Sequence, residues 1–225
     1  MRAPLFLLAT ALLAGCGSEG PPGAAGEPGD TTVPGVTARA DPPAGWRWAP
    51  TEGVALRGAD TLLVETGPHL VLWREGQEPL VPPYTVRARM QKLHGRLHEG
   101  YGIVFGGEGL EGPEEAQRYS YFLVRGDGSF LVKRRAGPET PVVRPWTTHS
   151  SIRRDTEEGG LPNQVEVQVA ADSVRFLVNG AEVAAVPASE VDVRGVPGLR
   201  VAHQVQLQLS GFAVEPGAAE RGATR

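Results

Sequence analysis

The side chains best equipped for chemistry in this 225-residue chain are a group of carboxylates, a few histidines and a single cysteine. Glu108, Glu111, Glu114 and Glu115 crowd into the stretch GGEGLEGPEE. Cleaving a glycosidic bond requires two carboxylates held about 5–10 Å apart, and closely spaced oxygen ligands can instead hold a hard cation. Glycine and proline punctuate this stretch, so it reads as a solvated loop with no fixed strand face, and Asp155, Glu157 and Glu158 read the same way. His94 and His98 have the spacing of a zinc pair on a helix. Gly95 interrupts them, however, and the preceding YTVRARMQKL alternates like a strand, on which the two would still share a face. His149, Ser150, Ser151 and Asp155 contain the ingredients of a hydrolytic set, but no G-x-S-x-G elbow accompanies them, and proximity in sequence is not triad geometry. Neither a phosphate-binding loop nor a dinucleotide fingerprint occurs. The sequence therefore assigns no catalytic residue, no metal ligand and no cofactor.

What remains is recognition by aromatic and long polar side chains, and the elements that carry them are strands. Val165, Val167 and Val169 alternate with Glu166 and Gln168, and Val205, Leu207 and Leu209 alternate with Gln206 and Gln208. This period of two marks strands with one apolar and one polar face. Val174, Phe176 and Val178 run into Asn179-Gly180, a pair suited to the positive φ angles of a type I′ hairpin turn. Further strands are expected at Thr61–Glu65, Leu70–Trp73, Tyr84–Gln91, Gly102–Phe105 and Gly198–Ala202, about a dozen short strands in all. In YSYFLVRGDGSFLVKR, a three-residue loop at Gly126-Asp127-Gly128 pairs Val124 with Phe130. It puts Phe122, Val124, Phe130 and Val132 on one dry face, with Gly128 in the left-handed bulge position. The Arg125-Gly126-Asp127 triplet is thus read as a strand reversal, not as an adhesion signal. Tyr119, Tyr121 and Arg125 fall on the opposite, wet face, and Tyr101 and Trp146 are expected nearby on the same sheet. Tyr, Trp and Arg on one sheet face can stack sugar rings or dock a peptide. The tryptophans Trp46, Trp48, Trp73 and Trp146 otherwise read as core or sheet-edge packing residues.

Composition restricts the partner. A formal charge of −4, from 22 basic and 26 acidic side chains, offers no overall positive field for phosphates, so nucleic acid is not an expected partner. The Lys133-Arg134-Arg135 run is read as a solvated strand end. Thirty glycines and twenty prolines fit many short strands joined by turns.

At the N-terminus, Arg2 precedes the apolar run from Leu5 to Leu13, too short for a permanent membrane span but suited to export. The run ends in Leu13-Ala14-Gly15-Cys16, which resembles the lipobox of bacterial lipoproteins. That resemblance implies cleavage before Cys16, lipidation of its sulfur and anchorage to a membrane. Gly17, with no Asp after the cysteine, favours the outer membrane by analogy with enteric lipoproteins. Cys16 is the only cysteine, so no intramolecular disulfide is possible. Residues 1–15 are read as signal peptide, 16–45 as a Gly/Pro-rich tether, 46–214 as the folded domain and 215–225 as a tail.

The order YGIVFGG, YSYFLVRGDGSFLVKR, PW, NQVEVQV, VRFLVNGAEV, GVPGLRV and FAV resembles bacterial concanavalin A-like lectin/glucanase domains, including laminin-G-like ones. The resemblance implies an all-β, two-sheet antiparallel jelly-roll sandwich. Hydrolases on this fold commonly carry an E-x-D-x-x-E strand, which is absent here. The expectation is a lipid-anchored, non-catalytic cell-envelope module that binds a glycan or an envelope protein, on either side of the outer membrane. The alternatives are a carbohydrate-active enzyme of the envelope and a structural subunit of an envelope complex.

Overall fold

A computed structural model describes residues 43–156 and 159–217, which lie within the compact unit Ala38–Arg225. The lipobox with Cys16, nearly all of the tether, Glu157, Glu158 and the last eight residues lie outside the described residues.

Fourteen strands account for most of the ordered backbone: β1 (Trp46–Ala49), β2 (Val54–Gly58), β3 (Thr61–Thr66), β4 (Leu70–Arg74), β5 (Tyr84–His94), β6 (Gly100–Glu108), β7 (Arg118–Arg125), β8 (Ser129–Ala136), β9 (Val142–Thr148), β10 (Asn163–Val169), β11 (Ser173–Val178), β12 (Ala181–Pro187), β13 (Val196–Val201) and β14 (Gln206–Pro216). They form two seven-stranded antiparallel sheets. Sheet A has the order β1-β4-β13-β6-β7-β8-β9, and sheet B the order β12-β11-β10-β5-β14-β3-β2. This is the expected all-β jelly-roll sandwich. β14 continues two residues past Val214, with Glu215 opposite Thr85 and Pro216 opposite Tyr84.

The core lies between the sheets and follows the period-two pattern. Phe122, Val124, Phe130 and Val132 all enter it, as the three-residue loop requires, with Val124 opposite Phe130 and Phe122 opposite Val132. Gly128 takes φ +83° and Asn179-Gly180 take +53° and +84°. Rings interlock across the two layers: Phe176 of sheet B lies 5.0 Å from Phe122 and 6.0 Å from Phe105 of sheet A. Trp46 packs at 5.3 Å on Phe212. Burial of these apolar side chains, each worth about 1.5–3 kcal/mol, is the main force holding the sheets face to face.

The outer faces of the two sheets differ. Sheet B shows the alternation expected of a solvated sheet, with Arg89, Gln164 and Gln208 outward. Sheet A instead carries a second buried apolar cluster on its outer face, formed by Val71, Trp73, Val104, Tyr119, Tyr121, Leu123 and Leu131, with Leu110 from the loop after β6.

Candidate functional site

The outer face of sheet A is built by register. Across β13, β6, β7 and β8, Arg200, Gly102, Leu123 and Leu131 form one row. In the next row toward the β7–β8 turn, Gly100 stands opposite Arg125. β6 offers no side chain at Gly100 or Gly102, so nothing from that strand stands between Arg200 on β13 and Leu123 on β7. Tyr121 and Tyr119 lie further along β7, opposite Lys133 and Arg135 of β8. Their rings are 5.7 Å apart.

Cations surround these rings. The Arg200 guanidinium lies 4.9 Å from the Tyr121 ring centre and donates from Nη1 to Tyr119 Oη at 2.6 Å. Arg135 stands 5.9 Å from the Tyr119 ring. At the turn end, the Arg125 guanidinium stacks 4.2 Å over the ring of Trp146, which is 36% exposed. Such stacking holds a ring and a planar cation as one flat polar-edged platform.

The RGD triplet completes this end. Arg125 Nε and Nη2 both reach Asp127 Oδ2, at 2.9 and 2.7 Å, and Asp127 Oδ1 accepts the Ser129 backbone N–H at 3.0 Å. Partial burial pushes the Asp127 pKa up, but the Arg125 and Ser129 hydrogen bonds prevail and hold it below the usual carboxylate range. Gly126 is required for a different reason. A Cβ there would lie 2.0 Å from Asp155 Oδ2. The Asp155 carboxylate fills that space as half of a buried ion pair, 2.7 Å from Lys92 Nζ. The triplet is a turn whose two charged side chains bind each other.

The acidic stretch also turns out to have a position. It folds back along sheet A while its glutamates stay exposed to solvent. Leu110 plugs into the outer apolar cluster, Glu111 pairs with Arg47 at 3.1 Å, and Glu114 reaches both His69 Nε2 at 2.6 Å and Arg135 Nη1 at 3.4 Å. Burial pushes the Glu114 pKa up, and the Arg135 and His69 charges and hydrogen bond more than reverse this, leaving it low. Burial, reinforced by Arg200, lowers the His69 pKa. The His69–Glu114 contact thus sets an imidazole Nε2 against a carboxylate oxygen at 2.6 Å.

Several sequence expectations are corrected by these positions. Tyr119 and Tyr121 are on the outer face, as argued, but both are buried and not wet. Tyr101 shares the sheet yet points into the core, where Asn163 Nδ2 donates to its hydroxyl at 3.2 Å and burial pushes its pKa up to about 12. It cannot meet a ligand on the outer face. Trp46 belongs to the core and Trp73 to the outer cluster, and of the four tryptophans only Trp146 is more than a third exposed. Asp155 is buried, Arg135 is buried, and Arg134 grips Asp192 with two hydrogen bonds of 2.8 and 2.9 Å, so neither reading as solvated loop or strand end holds. His149 Nδ1 meets Ser151 Oγ at 2.8 Å while Asp155 is committed to Lys92, and the imagined hydrolytic set does not assemble. His94 ends β5, and His98 lies 3.4 Å from Glu99. Sequence reasoning missed Arg200, Lys133 and His69. Arg200 was visible as the one charge in GVPGLRV, but its neighbours come from strands distant in sequence.

No family model matches the chain, and no curated protein matches it in sequence. Solved structures do resemble it. One is the carbohydrate-binding module CBM66 from Bacillus subtilis, with TM-score 0.56, 9% identity and coverage of 76% of this chain and 95% of that one. Another is the endo-beta-1,3-glucanase from Pyrococcus furiosus, with TM-score 0.55, 10% identity and coverage of 78% and 89%. A third is the VIP36 exoplasmic/lumenal domain in its Ca2+/Man3GlcNAc-bound form, with TM-score 0.53, 9% identity and coverage of 80% and 89%. At such identities the likeness is one of fold, the concanavalin A-like jelly-roll sandwich.

Proposed function

We propose that this chain is a non-catalytic glycan-binding module of the cell envelope, lipid-anchored through Cys16 and facing its ligand with the outer side of sheet A. One observation carries the reading: among the described residues this face combines an indole that is 36% exposed, Trp146 under Arg125 at 4.2 Å, with cations on the neighbouring strands. Aromatic rings beside hydrogen-bonding side chains match a sugar ring, which has an apolar C–H face and a polar rim. The fold is shared with a carbohydrate-binding module and with the VIP36 domain solved in a Ca2+/Man3GlcNAc-bound form, which supports the same reading without identifying the sugar.

A glucanase shares the fold as well. Hydrolysis needs a pair of carboxylates free to exchange a proton and attack a sugar. Three of the carboxylates around this face, Glu111, Glu114 and Asp127, already pair with basic side chains, which supports binding over catalysis. The test is a glycan array and titration calorimetry with the parent protein and Trp146→Ala. The variant is expected to lose about tenfold or more in affinity, about 1.4 kcal/mol, with its melting temperature unchanged. Equal affinity of the two proteins defeats the reading, and release of reducing sugar transfers it to an enzyme. Anchoring is checked separately: Cys16→Ser is expected to move the protein from the detergent phase to the aqueous phase in a Triton X-114 partition.

A further inference from the structure

The chain as a whole is acidic, yet its charges are not evenly placed. The strands of sheet A carry nine basic side chains and one acidic one, Glu108. The strands of sheet B carry five basic and four acidic, close to balance. On the outer face of sheet A the cations are Arg47, Arg125, Lys133, Arg135 and Arg200, and every carboxylate that answers them comes from outside the strands. Glu111 and Glu114 arrive on the folded-back loop, and Asp127 on the β7–β8 turn. Two of the five form no ion pair among the described residues: Lys133, and Arg200, which donates to Tyr119, lies over Tyr121 and acts on Glu114 only through its charge. A cationic face with aromatic rings, already holding three of the chain's own carboxylates, is complementary to a ligand that repeats this chemistry.

We infer that the glycan bound by this face is an acidic one, a polymer bearing uronate-type carboxylates, and that Glu111 and Glu114 are tethered stand-ins for those carboxylates. This rests on the glycan-binding reading above and narrows it to a ligand class. The ligand lies on the Trp146–Arg125 platform, whose indole edge already covers Gly100, and extends over the sheet toward Arg200, with Lys133 beside it. Its carboxylates pair with Arg200 and Lys133, and compete with Glu114 for Arg135 and with Glu111 for Arg47. Exposed ion pairs such as Arg47–Glu111 are each worth little in water, so their exchange for ligand pairs demands no large opening energy.

The test titrates the lipid-free chain with polygalacturonate and with neutral laminarin, at low and at moderate salt. Polygalacturonate is expected to bind the more tightly, and to weaken with salt because screening sets in over about 10 Å at 0.1 M. Lys133→Gln and Arg200→Gln should each weaken it by about three- to tenfold, while Glu111→Gln, which removes a competitor on an exposed pair, should strengthen it by about two- to fivefold. Glu114→Gln should act in the same direction, and its melting curve is run alongside because it also uncovers the buried Arg135. Binding of laminarin with none of polygalacturonate overturns the acidic assignment and leaves glycan binding standing. Failure to bind either, or any other glycan, overturns both. Unchanged or weaker polygalacturonate binding by Glu111→Gln removes the stand-in role. Single-stranded RNA or polyaspartate bound as tightly as polygalacturonate shows a charge field without glycan selectivity and overturns the inference.

Discussion

Breaking the Lys92–Asp155 pair should cost more than any other change of a charged side chain. Its members are only 2% and 6% exposed in their side chains, with Nζ 2.7 Å from Oδ2. Lys92 Nζ also donates to the carbonyls of Arg96 at 2.8 Å and Glu99 at 3.4 Å, and the Asp155 backbone N–H donates to the Gly126 carbonyl at 2.9 Å. The pair therefore ties the end of β5 to the turn that delivers Arg125. Replacing one partner, as in Lys92→Met or Asp155→Leu, leaves the other charge buried alone, at a cost of about 3–5 kcal/mol. For a domain of this size each kcal/mol lowers the melting temperature by about 2–4 °C, so a loss of roughly 6–20 °C is expected. The double variant Lys92→Met/Asp155→Leu has no stranded charge, and it should lose less than the worse single variant, with a coupling of about 2 kcal/mol or more. Urea titrations of all four proteins close the cycle. Single variants costing under about 1 kcal/mol, or costs that simply add, refute the argument that desolvation dominates here.

The remaining expectations are shorter. Phe122→Ala opens a void beneath Phe176 and Phe130 and should cost about 3–5 kcal/mol in urea denaturation. Gly126→Ala should unfold at a lower temperature than the parent, because its Cβ enters the space of a fixed carboxylate and not that of a flexible chain end. Asp127 has a depressed folded pKa, so its contribution is complete above the ordinary carboxylate value of about 4 and disappears as pH falls through the lower folded value; Asp127→Asn should abolish that part of the acid-stability profile. His69 has a folded pKa below its ordinary value of about 6.5, so the unfolded chain takes up the proton first. Its contribution is complete above about pH 6.5 and declines below it, and His69→Gln should flatten the fall in urea midpoint between about pH 6.5 and 5.

Local signals carried much of the fold. The Asn179-Gly180 turn and the β7–β8 register followed from φ preferences and from the need to place four apolar residues on one side, both of which are short-range constraints. Tyr101 was legible too, since Tyr101, Ile103 and Phe105 alternate with Gly100, Gly102 and Val104, and the larger apolar set belongs inside. The candidate face was less legible, because alternation predicts which side a residue faces and says nothing of what lies over that side. Tyr119 and Tyr121 face outward and are nevertheless buried, since Leu110 and the glutamates after β6 return to cover the sheet. Leu110, a lone large apolar residue among glycines and glutamates, was the available hint. The segregation of charge into one sheet became visible only with the strand order, which unites β1, β4 and β13 with β6–β9 across a long stretch of sequence.

On the proposed reading the outer face of sheet A, and not that of sheet B, meets a glycan. A glycan identified on an array is titrated into the parent protein, Trp146→Ala and Arg89→Ala, the last on the exposed outer side of sheet B. Trp146→Ala is expected to weaken binding by about tenfold or more and Arg89→Ala to leave it within about twofold of the parent. Loss of affinity in Arg89→Ala with Trp146→Ala unaffected would place the ligand on the other sheet and contradict the account.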